Sequence, residues 1–450
     1  MARLFGTDGV RGLANKELTP ELALNLGIAA ARMVTQNNNI ANASKPKAII
    51  GRDTRISGEF LDHALAAGLA SAGMDVNRIG VATTPTIAYL TGQGDIDLGV
   101  MISASHNPMP DNGIKFFARG GYKLDDNVED HIEDLLGTSY KRPLGDEVGE
   151  IDERPRAAEE AYVSHLVEAV GMNLKGLRIA VDCANGAASV LGPEALRRAG
   201  ADTVVINASP DGRNINDNCG STHPEQLQAT VTAAGADFGV AYDGDADRCL
   251  AVDSQGNLVD GDKIMGMLAV SMKERGTLTQ DTLVVTIMSN LGLLLAMKEK
   301  GIKTVQTAVG DRYVLEEMRN SGYVLGGEQS GHVINAHHAT TGDGVLTSLM
   351  IARAVKTTGE PLEELTAFVE RSPQTLINVP DVDKARAGED PEVLEAVRQV
   401  ELSLGETGRV VLRPSGTEPL VRVMVEAATQ EDADSSAQRL ADVVRERLSL

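Results

Sequence analysis

The pattern of apolar and polar positions along the chain repeats three times. Each copy has an apolar run, a few small or polar residues, a segment of helical length that ends at a glycine, and a second apolar run. A glycine just beyond a helix adopts the left-handed backbone conformation that other residues resist. The pattern therefore predicts three strand–helix–strand units. They cover residues 47–80, 177–207 and 282–310, with helix ends at Gly73, Gly200 and Gly301.

The apolar runs in these units are continuous and do not alternate with polar residues. Continuous runs are typical of parallel strands that helices cover on both faces. We therefore predict an α/β fold with three related α/β/α sandwich domains. Strand–helix units are common in unrelated proteins, so the repeat alone also fits layers without a shared origin.

The last part of the chain has a different pattern, which predicts a small C-terminal α+β domain. Helices are expected at residues 391–402 and 431–448, and strands at 409–413 and 420–427. The composition shows no low-complexity segment. The predicted domains are residues 1–155, 156–256, 257–370 and 371–450.

Charge and cysteine content exclude several classes of protein. The 450 residues carry a formal net charge of −22, which argues against a nucleic-acid or membrane-surface binder. The three cysteines (Cys183, Cys219 and Cys249) are widely spaced and lack a CxxC pair, which fits a reducing compartment and argues against zinc. The N-terminus does not resemble a signal peptide, and no apolar run reaches the roughly 20 residues of a membrane span. We expect a cytoplasmic protein.

The first candidate site is a polar turn at residues 103–112 that follows an apolar run. In open α/β sheets ligands bind beyond the carboxyl ends of strands, where Ser105 and His106 would lie. Adjacent side chains are expected to diverge, so these two are not predicted to form a nucleophile–base pair. Taken alone, SASHNP also fits an ordinary turn. Lys115 faces opposite to its apolar neighbours in the next strand, and could return toward the turn as an acid/base or phosphate ligand.

A second candidate site follows another apolar run, where Asp243, Asp245 and Asp247 alternate with small residues. Three carboxylates at this spacing repel one another unless a cation lies among them, and oxygen ligands suit Mg²⁺ or Ca²⁺. An EF-hand is excluded, because Arg248 and Ser254 occupy its sixth and twelfth positions. We predict one Mg²⁺ that keeps positions for phosphate oxygen and water. A solvated acidic turn is the alternative.

A third, glycine-rich turn at residues 326–332 offers ligands for a sugar. The carboxylate of Glu328 and the hydroxyl of Ser330 suit sugar hydroxyls or an amine. His332 fits a structural histidine better than a catalyst, although the choice between His332 and Lys115 as acid/base stays open. As a bare pattern, a simple glycine-rich turn fits this segment equally well.

A fourth turn, between the two predicted C-terminal strands, offers ligands for a phosphate dianion. A guanidinium, two hydroxyls and backbone N–H groups come together there, although a hairpin with a surface arginine fits the pattern equally well. These residues are Arg413, Ser415, Gly416 and Thr417. Arg312 lies at a predicted helix N-terminus, another place where anions bind.

Together the four turns resemble the motifs of the α-D-phosphohexomutase superfamily. SASHNP is similar to its phosphoserine loop, DGDADR to its metal loop, GEQSGH to its sugar-binding loop and RPSGT to its distal phosphate site. The resemblance runs from FGTDGVRG at residues 5–12 to RPSGTEP at residues 413–419, and so covers nearly the whole chain. Four motifs in family order are far more specific than any one of them.

The resemblance implies a fold of three α/β domains and a small α+β domain around one central cleft. It assigns the phosphoryl group to Ser105, and it implies Mg²⁺ on the three aspartates and the serine phosphate. We assign Lys115 an acid/base or phosphate-orienting role, and Arg11 and Arg248 supporting catalytic roles. The implied substrate ligands are Glu328, Ser330, Arg312, Arg413, Ser415, Gly416 and Thr417.

The form of the first motif and Gln329 in the sugar loop look like the branch that acts on glucosamine phosphate. The implied reaction interconverts glucosamine 6-phosphate and glucosamine 1-phosphate through an enzyme phosphoserine and a bisphosphate that turns around in the cleft. This reaction would supply UDP-N-acetylglucosamine and cell-wall precursors. The expected partner is therefore a small hexosamine phosphate, with no nucleic acid and no membrane.

Several alternatives stay open at this point. A phosphomannomutase or phosphoglucomutase of the same superfamily would share the four motifs. A haloacid-dehalogenase-type phosphatase could use Asp243 as a nucleophile, but it would not need the SASHNP and RPSGT turns. A sugar-phosphate-binding protein would not need the carboxylate turn, and a kinase is disfavoured because the chain has no GxxxxGK[ST] loop. The sequence does not determine the oligomeric state, for which a homodimer is one option, or how Ser105 is first phosphorylated.

Overall fold

Four sheets follow one another along the chain in the computed structural model, which describes residues 3–6, 8–37, 45–414 and 420–450. They have six, five, four and three strands. Each sheet, with the helices that cover it, is called here a unit, from the first to the fourth.

The first unit begins the chain. Its strands are β1 (Val10–Leu13), β2 (Lys47–Arg52), β3 (Asp75–Val81), β4 (Leu98–Ile102), β5 (Asp111–Ala118) and β6 (Ile151–Glu153). Its helices are α1 (Pro20–Asn37), α2 (Ile56–Ser71), α3 (Thr84–Gly92) and α4 (Asp126–Leu135). The strand order is β1-β5-β4-β2-β3-β6.

The second unit has the strand order β11-β10-β9-β7-β8. Its helices are α5 (Pro155–Val170), α6 (Ala188–Arg198) and α7 (Glu225–Ala234). Its strands are β7 (Arg178–Asp182), β8 (Asp202–Ile206), β9 (Phe238–Tyr242), β10 (Cys249–Asp253) and β11 (Leu258–Val259).

The third unit has the strand order β13-β12-β14-β15. Its strands are β12 (Thr282–Thr286), β13 (Lys303–Thr307), β14 (Leu325–Gly327) and β15 (Val333–Asn335). Its helices are α8 (Gly261–Glu274), α9 (Leu291–Glu299), α10 (Asp311–Ser321), α11 (Gly344–Thr358) and α12 (Leu362–Thr366).

The fourth unit is the smallest and has the strand order β16-β18-β17. It contains β16 (Gln374–Pro380), α13 (Pro391–Leu404), β17 (Arg409–Pro414), β18 (Leu420–Glu426) and α14 (Gln430–Leu448). Short 3₁₀ helices lie at Gly145–Glu147, Gly220–Thr222, Thr279–Asp281, Lys384–Gly388 and Gly405–Thr407.

The three predicted strand–helix–strand segments are confirmed. They are β2–α2–β3, β7–α6–β8 and β12–α9–β13, and the two strands of each segment pair in parallel. The glycines after the three helices are left-handed, with φ of +94° at Gly73, +105° at Gly200 and +66° at Gly301. The fold class, three α/β/α layers and a C-terminal α+β unit, is the predicted one.

The prediction of parallel strands holds for only part of each of the first three sheets. In each of the first three sheets an antiparallel strand follows a parallel one, with β5 beside β4, β10 beside β9 and β15 beside β14. A parallel connection needs a crossover of about a dozen residues or more, and these turns are too short for one. The chain therefore reverses as a hairpin. The three hairpin turns are the predicted serine, metal and sugar turns.

The predicted elements of the fourth unit are present, and the structure adds β16, which the sequence did not predict. β16 pairs antiparallel with β18 at the edge of the sheet. The prolines before it and at its last position, Pro373 and Pro380, argued against a strand in the sequence, although proline is tolerated at the edge of a sheet.

The apolar cores do not follow the four sheets one by one. One core spans the second and third units and runs from Tyr162 to Val369, and each of these two units also has a smaller core of its own. The first unit has two cores, one of which includes Ala158 of α5, and the fourth has one. The predicted domain limits at residues 155, 256 and 370 stay predictions. In the described ranges, no helix combines the length and apolarity that crossing a membrane requires.

Candidate active site

The serine turn and the metal turn are in direct contact. Ser105 follows β4, and its Oγ donates a hydrogen bond to Asp243 Oδ2, which follows β9, at 2.5 Å. Both residues are 1% exposed, although 138 positions separate them in the chain. The structure thus places the predicted nucleophile against the first of the predicted metal ligands.

His106 does not diverge from Ser105, so that expectation is wrong. The His106 Nδ1 lies 3.3 Å from the Ser105 Oγ. The backbone of Ser105 is left-handed, with φ of +52°, and this turns the two neighbouring side chains to one side. Burial, reinforced by the nearby Arg248 and Arg11, lowers the pKa of His106 to about 4, so its imidazole is neutral at pH 7.

The three aspartates of the metal turn form a buried cluster. One carboxylate oxygen from each of Asp243, Asp245 and Asp247 lies within 4.8 Å of the others. Burial and mutual repulsion raise the pKa of Asp243 and of Asp247. Among the described residues, Asp245 Oδ1 and Asp247 Oδ1 are buried without a hydrogen-bond partner. Unpartnered buried oxygens on hard ligands fit a divalent cation, so the cluster could hold a metal ion.

Lys115 crosses from β5 to the metal turn. Its Nζ lies 2.9 Å from Asp245 Oδ2, 3.0 Å from Asp8 Oδ2 and 3.7 Å from Asp247 Oδ2. Burial opposes the charged form, but these carboxylates outweigh it and raise the pKa of Lys115. Lys115 is therefore a positively charged group at neutral pH.

The charged network continues from Lys115 to the third unit. Lys123 Nζ lies 2.6 Å from Asp8 Oδ1 and also pairs with Asp311 at the start of α10. His332 Nε2 lies 3.5 Å from Asp311 Oδ2, and neither ring nitrogen of this buried histidine has a hydrogen-bond partner among the described residues. Asp8, Lys123 and Asp311 were not among the predicted site residues. Two of them had a signal in the sequence, since Asp8 lies within the motif FGTDGVRG and Asp311 directly precedes Arg312.

Two arginines border the carboxylates. Arg11 pairs with Asp8, and the backbone N–H of Arg248 donates to Asp243 Oδ1 at 3.2 Å. The Nε atoms of both arginines are buried and lack a hydrogen-bond partner in the described part of the chain. The structure therefore brings together Arg11, Lys115 and Arg248, as cations around an acidic turn.

The sugar turn lies beside the metal turn. The Gly331 carbonyl accepts a hydrogen bond from the N–H of Cys249, the first residue of β10, at 3.0 Å. Gly331 has φ of +92°, and a Cβ there would lie 2.5 Å from the Cys249 carbonyl oxygen, so the close approach requires glycine. Glu328 Oε1 accepts the N–H of Gly310 at 3.1 Å, and Ser330 is exposed.

Two helix N-termini hold the metal turn in place, which no sequence pattern indicated. Thr84, the first residue of α3, donates its N–H to the Asp245 carbonyl at 3.0 Å and its hydroxyl to Asp245 Oδ2 at 2.6 Å. Gly344, the first residue of α11, donates its N–H to the Ala246 carbonyl at 2.9 Å. The metal turn of the second unit is thus fixed from the first and third units.

The two predicted phosphate-binding arginines are not in contact with the three aspartates of the metal turn. Arg312 pairs with Asp126 and Glu129 of α4, and so joins the first unit to the third. Arg413 lies on β17 opposite Arg422 of β18 and is half-buried. Their roles toward a phosphate stay predictions. The other predicted ligands of this turn lie outside the described residues, namely Ser415, Gly416 and Thr417.

A cavity of about 590 Å³ lies beside the charged network of Lys123, Asp311 and His332. Its walls include Lys123, Asp311, Arg312 and His332, so it borders the charged network on the side of the third unit. Its volume lies within the range of roughly 300–1,000 Å³ that is usual for small-molecule sites.

Family models match the chain in four consecutive parts, in the order of the four units. Family models of phosphoglucomutase/phosphomannomutase match as α/β/α domain I at residues 2–142, domain II at 160–256, domain III at 260–372 and the C-terminal domain at 376–443. The chain belongs to the phosphoglucomutase/phosphomannomutase family. The predicted resemblance is confirmed.

Full-length relatives within the family carry a more specific name. A phosphoglucosamine mutase from Bifidobacterium animalis subsp. lactis (strain AD011) is 60% identical, and both chains are covered completely. Phosphoglucosamine mutases from Nocardioides sp. (strain ATCC BAA-499 / JS614) and Streptomyces coelicolor are each 58% identical, again with complete coverage of both chains.

Solved structures of phosphoglucomutase/phosphomannomutase proteins share the fold. A family protein from Burkholderia thailandensis has a TM-score of 0.83 at 22% identity, over 100% of this chain and 99% of that chain. The Aspergillus fumigatus N-acetylphosphoglucosamine mutase in complex with GlcNAc-6P and magnesium has a TM-score of 0.69 at 20% identity, over 98% and 95% of the two chains.

The carboxylate cluster makes a prediction about metal. Mg²⁺ should raise the Tm, because a cation relieves the repulsion among the buried aspartates. At 100 times its Kd, the ion should add ~2.7 kcal/mol to the free energy of unfolding. Asp247→Asn should reduce this rise, whereas the exposed Asp217→Asn should keep it. Calorimetry with MgCl₂ and with EDTA measures the effect. A Tm that does not change on addition of Mg²⁺, or a protein that unfolds in EDTA, would contradict an open metal site.

Proposed function

We propose that this protein interconverts glucosamine 6-phosphate and glucosamine 1-phosphate, with Ser105 as the phosphoryl carrier. Full-length relatives at 58–60% identity are phosphoglucosamine mutases, so the chain is an isomerase of the phosphohexomutase kind. The observation that carries the assignment of Ser105 is the 2.5 Å hydrogen bond from its Oγ to Asp243. A hydroxyl that can act as a nucleophile therefore lies at the edge of the carboxylate cluster, which supports this role.

The metal turn would hold the magnesium ion. Asp243, Asp245 and Asp247 would provide its protein ligands, and a phosphate on Ser105 would provide another. When bound, the ion supplies positive charge that neutralises the oxygens of the transferring phosphoryl group.

Ser105 donates one phosphoryl group and accepts another in each cycle. In the first transfer the Oγ–phosphorus bond breaks and a bond forms from phosphorus to the free hydroxyl of the sugar phosphate; the hydroxyl gives up its proton, and Oγ becomes a hydroxyl. In the second, after the bisphosphate turns around, the bond from its other phosphorus to the sugar oxygen breaks and a bond to Oγ forms; Oγ gives up its proton, and the sugar oxygen takes one up. The sum of the two transfers moves phosphate between O6 and O1 and leaves the phosphoserine unchanged.

The cations of the cleft have distinct tasks in this proposal. Lys115 already shares its Nζ between Asp8 and Asp245, and therefore orients the transferring phosphate as a fixed positive charge. Arg11 and Arg248 bind phosphate oxygens through their unpartnered N–H groups. His332, whose ring nitrogens lack a hydrogen-bond partner among the described residues, is the group left to exchange a proton with the sugar hydroxyl.

The remaining ligands hold the sugar and its second phosphate. Glu328 and Ser330 bind the sugar, and Arg413, Ser415, Gly416 and Thr417 bind the phosphate that does not react, with Arg312 at the edge of the cleft. A phosphatase that uses Asp243 as its nucleophile fits less well, because that carboxylate accepts the Ser105 hydroxyl.

Ser105→Ala tests the carrier directly. Without an Oγ no phosphoserine forms, so mutase activity should fall by more than roughly 1,000-fold. Ser71→Ala in α2 should retain full activity. A coupled assay measures activity, and peptide mass spectrometry locates the phosphate on the purified protein. Phosphate on Ser103 alone, together with full activity of Ser105→Ala, would show that Ser103 and not Ser105 is the nucleophile.

Glu328→Gln tests how the sugar is held. We expect activity toward glucosamine 6-phosphate and glucose 6-phosphate to fall together by about tenfold or more, because a charge-assisted hydrogen bond to the sugar hydroxyls is lost. Glu317→Gln on α10 should be close to wild type. Steady-state kinetics with both substrates decide the point. A loss confined to the amino sugar would show that Glu328 pairs with the ammonium group.

A further inference from the structure

A fully buried ion pair lies next to the serine turn, outside the residues assigned so far. Asp53 and Arg55 follow β2, and both side chains are 0% exposed. Arg55 Nη1 pairs with Asp53 Oδ2, and the Arg55 N–H donates to Asp53 Oδ1 at 2.9 Å. A buried ion pair is rarely more stabilising than apolar residues of the same size. A role in positioning explains it better than a role in stability.

The arginine side chain of this pair binds backbone carbonyls of the serine turn. Arg55 Nη2 donates to the carbonyl of Ser105 at 3.2 Å and to that of Asn107 at 2.5 Å. Asn216, which comes from the second unit, donates its Nδ2 to the same two carbonyls at 2.9 and 3.1 Å. One donor from each unit thus holds both carbonyls.

The aspartate of the pair fixes the other side of Ser105 through Ser103. The Ser103 hydroxyl donates to Asp53 Oδ2 at 2.6 Å and accepts the N–H of Ser105 at 2.9 Å. A Cβ at Gly244 would lie 2.6 Å from the Ser105 carbonyl oxygen, so this carbonyl also packs closely on the metal turn. Both backbone polar groups of Ser105 are therefore occupied, and its Oγ is the group directed at Asp243.

We propose that Asp53, Arg55, Ser103 and Asn216 are positioning residues that keep the Ser105 turn in one conformation with and without its phosphoryl group. The inference rests on the proposed function, in which the Oγ gains and loses a phosphoryl group in each cycle. That group changes the local charge by about two. A turn held by its backbone does not follow this change, so the Oγ stays aligned with the metal turn and water stays out.

Asn216→Ala is the variant that tests the proposal, with Asn218→Ala as a matched control. Both asparagines are left-handed, with φ of +57° and +51°, so alanine meets the same backbone cost at each position. Asn218 donates its Nδ2 to Asp217 at the surface and does not touch the serine turn.

We expect Asn216→Ala to lower kcat roughly 10- to 100-fold with KM changed by less than about twofold, because misplacement of a reacting group acts on the chemical step. Phosphate released to water per isomerisation should rise. Asn216→Asp, which keeps the size but replaces the donor by an acceptor, should do no better. Asn218→Ala should match wild type in all three quantities.

A folded Asn216→Ala protein with the kcat and phosphate release of the control would overturn the proposal. In that case an inactive Ser105→Ala variant would show that the proposed function stands. An active Ser105→Ala variant would contradict both the positioning proposal and the proposed function. Hydrogen exchange of the wild-type protein supplies a test that needs no variant. Amides at residues 103–107 should be equally protected in the phosphorylated and dephosphorylated forms. Exchange that is more than about tenfold faster after dephosphorylation would also contradict the proposal.

Discussion

The hydrogen bond between Ser105 and Asp243 is the contact on which the rest of the site depends. It joins two hairpin turns, each of which follows a parallel strand and leads into an antiparallel one. A hairpin turn stays at the carboxyl edge of its sheet, so two such turns meet only when their sheets are held edge to edge. Thr84 and Asn216 provide that hold by bonding to the opposite turn. The alignment of nucleophile and metal turn is therefore set by packing between units.

Electrostatics joins the third unit to this contact. Charges of alternating sign run from Asp245 through Lys115, Asp8 and Lys123 to Asp311. Removal of one member would leave a buried charge without its counterpart, which costs several kcal/mol. In a chain with a net charge of −22, this cluster supplies the local cations that an anionic substrate needs. The same interactions thus link the first three units and set the charge of the site.

Local features of the chain were predictable from the sequence, and contacts between distant residues were not. Strand, helix and final glycine follow one another within about 30 residues, and each of the four turns carries its chemistry in a few adjacent residues. No local pattern reports that Lys123 pairs with Asp311, or that Asn216 reaches the serine turn. The reversal after β4, β9 and β14 was missed because apolar content does not distinguish a parallel from an antiparallel neighbour.

The most direct test follows a labelled phosphoryl group. Protein carrying radiolabelled phosphate on Ser105 is mixed with Mg²⁺ and unlabelled glucosamine 6-phosphate, and the products are separated after a single turnover. The label should leave the protein and appear first in the bisphosphate and then in glucosamine 1-phosphate. Label that stays on the protein while the sugar isomerises, or that leaves as inorganic phosphate, would contradict it.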